Sequence, residues 1–375
     1  MRRRLATGFA VALVALVAGL FVGLGTGSHG EPAPSPTLAP STATGAGTLS
    51  QTVATEPSVT QLPTLTTPAD QLPGYGKPTI MLGDMNTPEQ FVIGQLYLLA
   101  LQQQGYNVSL SRNVSLQSVA LAAFHLHTLT LFPDYLDIWN SRVAHLRRRF
   151  NSLASSYATA SRYADAHGFK LLPPTPFSDT WGVAVSSQYA QVNHVHTLPQ
   201  LARGPRIIFA APLDYITNPH GLAALKKAYG LHPGYVQTVT AIGAQYVWLD
   251  SGDAQAAWVN TTDPQLLGPE FELLKDPKHV FGYGNVVAVT TPEAIRAEGP
   301  AFVRTIKRVD ATLTVSAMRG LNWEVEVAGK LPSRVAAEFL QGQGILPPSR
   351  FAPVPTATTP TEVSSTTATT PAPAS

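Results

Sequence analysis

Cysteine is absent from all 375 residues. That excludes disulfides, a thiolate nucleophile, cysteine-ligated zinc and anchoring through a lipid-modified cysteine. Charge is also scarce: Asp, Glu, Lys and Arg make up 13% of the chain, about half the usual share. The formal balance is +2 at neutral pH, so no basic field favours nucleic acid as a partner. There is no Gly-x-Ser-x-Gly elbow, no P-loop and no Gly-x-Gly-x-x-Gly. The ten histidines include His125 with His127 and His194 with His196, but none has credible metal-ligand spacing. No enzyme, cofactor or metal is therefore expected. Hydrolysis by a carboxylate pair, Asp134 with Asp179 or Asp214, finds no support in the spacing.

One long apolar run is present. Arg2, Arg3 and Arg4 precede a nearly uninterrupted apolar and glycine stretch over residues 5–25. Basic residues ahead of such a run mark a secretory signal or a membrane anchor. The run is long enough to cross ~30 Å of hydrocarbon. No small-x-small cleavage site ends it, which favours an uncleaved anchor over a cleaved signal. Residues 1–30 are thus expected to tether the protein to the membrane, with the rest outside the cytoplasm. Residues 31–76 are dominated by Pro, Thr, Ser and Ala without hydrophobic period, and so should form a semi-stiff spacer. A similar tract occupies residues 349–375.

The globular pattern fills residues 77–348. Thr79-Ile-Met-Leu82 reads as a strand, and Gly83-Asp-Met-Asn-Thr-Pro-Glu-Gln90 as a polar turn opening a helix. Thr87 suits the N-cap, Pro88 the first helical turn and Gln90 a capping box. Further strands are expected at 107–111, 128–132, 181–186, 206–211, 236–239, 256–259 and 286–289. Helical spacing recurs at 116–124, 221–229, 302–313, 318–327 and 334–341. The alternation predicts an α/β protein with a mainly parallel sheet. Two lobes are expected, one over 77–185 with a return at 286–348 and the other over 186–285, with their strand ends facing across a cleft.

An aromatic residue stands beside a small polar group at the end of several expected strands. Tyr135 follows Asp134, Trp181 follows Asp179-Thr180, Tyr215 follows Asp214, Trp258 precedes Asn260, and Tyr283 precedes Asn285. Aromatic faces attract organic cations at roughly 0.5 to 2 kcal/mol per ring. The same rings could instead fill the core or the hinge.

These segments resemble a known family. Gly83-Asp-Met-Asn-Thr-Pro-Glu-Gln90 is similar to the Gly-Ser-Lys-Asn-Phe-Thr-Glu-Gln opening of substrate-binding proteins for glycine betaine, choline and related osmoprotectants in ABC transport. Leu131-Phe-Pro-Asp-Tyr135 resembles Tyr-Pro-Glu-Tyr, Phe177-Ser-Asp-Thr-Trp181 resembles Phe-Asn-Asn-Thr-Tyr, and Asn260-Thr-Thr-Asp263 resembles Tyr-Ser-Thr-Asp. Ala211-Pro-Leu-Asp-Tyr-Ile-Thr-Asn-Pro-His-Gly-Leu222 resembles Ala-Pro-x-Glu-Phe-x-x-Arg-x-Asp-Gly-Leu. The resemblance implies a two-lobed type II periplasmic-binding fold that closes on a small molecule and presents it to a permease.

It also implies ligand contacts at Asn86, Thr87, Tyr135, Thr180, Trp181, Asp214, Tyr215, Asn218, Asn260, Thr262, Tyr283 and Asn285. Tyr135 and Trp181 would carry the aromatic cage. Asn218 stands where the family has a carboxylate-gripping arginine, and Gly284-Asn285 where it has Tyr-Asn. With that fixed bidentate donor lost, the ligand need not be glycine betaine; choline, another cation without a carboxylate, or a neutral polyol fits as well. The expected partners are a small molecule, an ABC permease and, through the N-terminal helix, the membrane. A sensor or surface protein using the same fold without transport is the alternative.

Overall fold

Thr87 begins the first helix as its sequence requires: its hydroxyl accepts from the Gln90 amide at 3.4 Å, and Pro88 takes the first helical position. In the computed structural model, residues 68–348 are described apart from 113, 115, 116, 147 and 242. Strand β1 (Ile80–Gly83) leads through α1 (Pro88–Gln103) to β2 (Val108–Ser111), which pairs parallel to β1. Val92, Ile93, Leu96, Tyr97, Ala100 and Leu101 line one buried face of α1 and meet Phe302, Ile306 and Val309. Each such large apolar side chain contributes about 1.5 to 3 kcal/mol on burial.

The first lobe is completed by β3 (Phe132–Tyr135), β4 (Lys170–Leu171) and a late strand, β10 (Val286–Thr290). β10 runs between and antiparallel to the other two, and all five of its residues are buried. β3 begins at Phe132 and not at 128, because Leu131 makes only an isolated parallel bridge to Leu82 and the chain bends before it. Pro133 is tolerated there because β3 lies at a sheet edge.

The second lobe is built on β5 (Trp181–Ser186), β6 (Ile208–Ala211), β7 (Tyr235–Thr238), β8 (Ala256–Asn260) and β9 (Phe271–Leu273). Their order is β7-β6-β8-β5-β9. β6 is parallel to β7 and β8, whereas β5 is antiparallel to β8 and β9. The sheets are therefore mixed and not mainly parallel. Helix–strand alternation governs local βαβ units, but it does not set the direction of strands that enter from the other lobe.

Two crossings lie side by side where Ser178 and Asn285 form an antiparallel bridge. Gly284 makes this approach possible, since a Cβ there would lie 1.7 Å from the Asp179 carbonyl oxygen. No tyrosine fits at 284 without moving that backbone. The helix expected over 318–327 is instead an α-helix, Val315–Asn322, continued by a π-turn, Trp323–Val327.

The anchor expected at residues 5–25 lies outside the described residues. Among the described residues no helix is long and apolar enough to cross a membrane. Even α1, with 16 residues, reaches only about 24 Å against the ~30 Å required. The described residues thus hold no helix for a membrane partner or for tethering as the localisation, against both expectations.

Candidate functional site

Glu89 is where the chain's distant segments converge. It sits in the first turn of α1, placed there by the Thr87 cap, and only 6% of it is exposed. The Tyr135 hydroxyl at the end of β3 donates to Glu89 Oε1 at 2.7 Å. Asn322, at the end of its helix, donates from Nδ2 to Glu89 Oε2 at 3.0 Å and to the Thr262 carbonyl at 3.1 Å. Thr262 belongs to the turn after β8, so this one amide links first-lobe and second-lobe residues.

Asp179 joins the same cluster from the crossing segment. Its Oδ1 is enclosed and has no hydrogen-bond partner among the described residues. Burial holds the Asp179 carboxyl well above the usual carboxylate range; the nearby Glu89 charge adds to this and Thr262 opposes it. Burial likewise raises Glu89, against hydrogen bonds from Asn322, Tyr135 and Thr262. Tyr135 is also raised, by burial first and then by Glu89 and Asp179. Asp263 is raised by burial although Tyr246 and the Asn260 amide donate to it at 2.8 and 3.0 Å. The main influences on Glu89 and Asp179 are burial, hydrogen bonds and neighbouring carboxylates. The cluster is rich in hydrogen-bond acceptors and carboxyl groups, with the Arg319 guanidinium acting on its Asp263.

Of the residues expected from sequence, Tyr135 and Thr262 meet at this cluster. Thr180 lies beside it, its amide donating to Thr261 Oγ1 at 3.0 Å. Asn260 lies at the end of β8 with its backbone tied to Asp263. Trp181 is half-buried and meets Tyr215 edge-on at 5.1 Å. Tyr215 is completely buried in the second lobe, stacked on Phe209, and does not face an opening. Asp214 is exposed. Asn218 closes a short helix, Leu213–Thr217, and its Oδ1 accepts from the His220 amide at 2.9 Å. Tyr283 stacks on His279 at 5.0 Å. Asn285 is buried and donates to the Thr175 carbonyl at 2.9 Å, a hinge bond. Asn86 and Thr87 are exposed.

Sequence reasoning missed Glu89, Asp179, Asp263 and Asn322. Asp179 had a visible signal, because it replaces an Asn of the resembled motif. Glu89 looked like an ordinary acidic residue in a first helical turn. A depression of about 560 Å³ in the first lobe, lined by His125, Arg142, His145, Tyr163 and His167, is separate and contains none of the expected residues. Among the described residues, no group of His, Cys, Asp and Glu is placed to hold a metal ion.

Residues 78–342 match the family model for the substrate-binding domain of ABC-type glycine betaine transport systems. The chain belongs to this family. It is similar to the glycine-betaine-binding protein of Pseudomonas aeruginosa, with 26% identity over 284 residues covering 72% of this chain and 89% of that one. It is also similar to the glycine betaine-binding protein YehZ of Escherichia coli, with 24% identity over 292 residues, 74% of this chain and 94% of that one. A solved glycine betaine/carnitine/choline ABC transporter structure shares the fold, with a TM-score of 0.66 and 21% identity over 71% of this chain and 99% of that one. The two lobes are thus those of a type II periplasmic-binding protein. The chain is an extracytoplasmic binding protein that delivers a small osmoprotectant-like solute to an ABC permease, and it is not an enzyme.

Proposed function

We propose that the solute is a small organic cation without a carboxylate. The observation that carries this is the Glu89–Asp179 pair, two neighbouring carboxyls neither of which forms a salt bridge among the described residues. A ligand cation would supply the missing charge, while a ligand carboxylate would add a repelling one. Asn218 supports the reading. It stands where the resembled motif has arginine, and its side chain is engaged in its own turn. Tyr135 offers ring surface at the same cluster, and Thr262 reaches it from the second lobe.

Calorimetry with matched compounds tests the reading. Choline and glycine betaine differ in whether the chain ends in a hydroxymethyl or a carboxylate group, and N,N-dimethylethanolamine and dimethylglycine differ in the same way. Each cation is expected to bind at least tenfold more tightly than its carboxylated counterpart, and glycerol is expected not to bind. Equal or tighter binding of the carboxylated compounds, or of glycerol, would refute it.

A further inference from the structure

The hydrogen-bonding inventory of the cluster narrows the kind of cation, on the reading that the ligand is one. The enclosed atoms there with no partner among the described residues include the acceptors Asp179 Oδ1 and Asn322 Oδ1, together with the side-chain amide of Gln90 beside Tyr135. Asn322 is only 3% exposed, and its Nδ2 is already committed to Glu89 and to the Thr262 carbonyl. Those two bonds orient the amide and leave Oδ1 as an acceptor. The Asp179 main chain is held as well, because its backbone amide donates to the Gly284 carbonyl at 3.0 Å. Asn322 Oδ1 is therefore held by the side chain's own bonds, and Asp179 Oδ1 is enclosed on a main chain fixed at the crossing.

The aromatic side of the site points the same way. A quaternary ammonium ion has no N–H and is held mainly by ring faces. Here Tyr215 is fully buried in the second lobe, Trp181 is engaged edge-on with it, and Tyr283 is stacked on His279. Tyr135 retains its ring, but its hydroxyl is tied to Glu89. A quaternary ligand would thus meet a thinned cage and leave two desolvated acceptors unpaired. An ammonium with N–H groups would satisfy them with charge-assisted bonds. A site that bonds a ligand N–H discriminates strongly against an analogue lacking it.

We propose that the solute is a protonated amine or similar cation that donates N–H hydrogen bonds to Asp179 and Asn322, and not a quaternary ammonium ion.

The test is a series in which methyl groups are replaced by hydrogen: choline, N,N-dimethylethanolamine and ethanolamine, all cationic at pH 7. Titration calorimetry on the full chain is expected to show affinity rising along the series, at least tenfold from choline to ethanolamine. Asp179→Asn should remove most of that preference, and Asn322→Leu should reduce it. Choline binding as tightly as ethanolamine, or more tightly, would overturn this proposal while leaving the cationic ligand intact. Binding of glycine betaine or glycerol with none of the three amines bound would overturn both, as would binding of none of these compounds. The wild-type series decides the matter even if a variant fails to fold.

Discussion

Arg319 in the first lobe donates its Nε–H to the carbonyl of Thr261 in the second lobe at 2.9 Å. The same guanidinium donates through Nη1 to the Leu266 carbonyl, also at 2.9 Å. Arg319 lies on Val315–Asn322, whose Met318 and Leu321 pack into the first-lobe core around α1. One planar fork therefore holds the 261–266 turn against the first lobe, three residues before Asn322 bonds the Thr262 carbonyl. Arg319→Ala should open this contact. The expected results are about tenfold weaker choline or ethanolamine binding and a larger radius of gyration in solution scattering. Arg319→Lys should restore little, because a point charge cannot serve two carbonyls as the fork does.

Tyr135 and Tyr215 should answer differently to loss of the hydroxyl. The Tyr135 hydroxyl donates to Glu89, so Tyr135→Phe is expected to cost about 1 to 2 kcal/mol in stability or binding. The Tyr215 hydroxyl is buried and has no hydrogen-bond partner among the described residues. Tyr215→Phe should leave affinity unchanged and raise stability by up to about 1 kcal/mol. Denaturant titration with calorimetry checks both, and a large affinity loss in Tyr215→Phe would place that ring at the ligand.

Binding of choline, whose charge does not titrate, should strengthen as pH rises. Burial raises the Glu89 and Asp179 carboxyls above the usual range, so the pair gives up its protons at higher pH than free carboxyls do. A cation must displace them. Affinity at pH 8 should exceed that at pH 5.5 by at least threefold, with proton release seen as a buffer-dependent binding enthalpy. Affinity falling over that interval would contradict the assignment.

Asp310 carries a separate pH dependence of stability. It accepts the Tyr97 hydroxyl at 2.5 Å, yet burial pushes its carboxyl up to about 7. The native state then binds this proton more tightly than the unfolded chain does. Its contribution is complete below about pH 4, declines as pH rises towards about 7, and is level beyond. Asp310→Asn keeps an acceptor for Tyr97 without burying charge. It should stabilise the protein at pH 8 by on the order of 2 kcal/mol and leave pH 4 nearly unchanged. Thermal melts at the two pH values measure this. Asp134 and Asp137, raised by burial to about 7 and about 6, would retain part of the wild-type trend.

Much of the fold was written locally. Thr87, Pro88 and Gln90 set the start of α1, and the apolar spacing from Val92 to Leu101 set its buried face. Both depend on residues within a few turns of one another, which is the range that periodicity and capping encode. The order of family-like segments from Gly83 to Asp263 carried the two-lobed architecture, because each segment also has a fixed local geometry.

What the chain alone could not supply was the company each side chain keeps. Tyr135 and Tyr215 are both tyrosines at expected strand ends beside an aspartate, yet one bonds Glu89 and the other fills the second-lobe core. Glu89, Asp179, Thr262 and Asn322 lie far apart in sequence and meet only because the two crossings bring the lobes together. No local pattern records that meeting, since desolvation and hydrogen bonding at the cluster arise from packing between segments. Residues 83–90 determined where the first helix begins; the tertiary structure decided that Glu89 of that turn is buried against Tyr135 and Asn322 while Asn86 and Thr87 stay exposed.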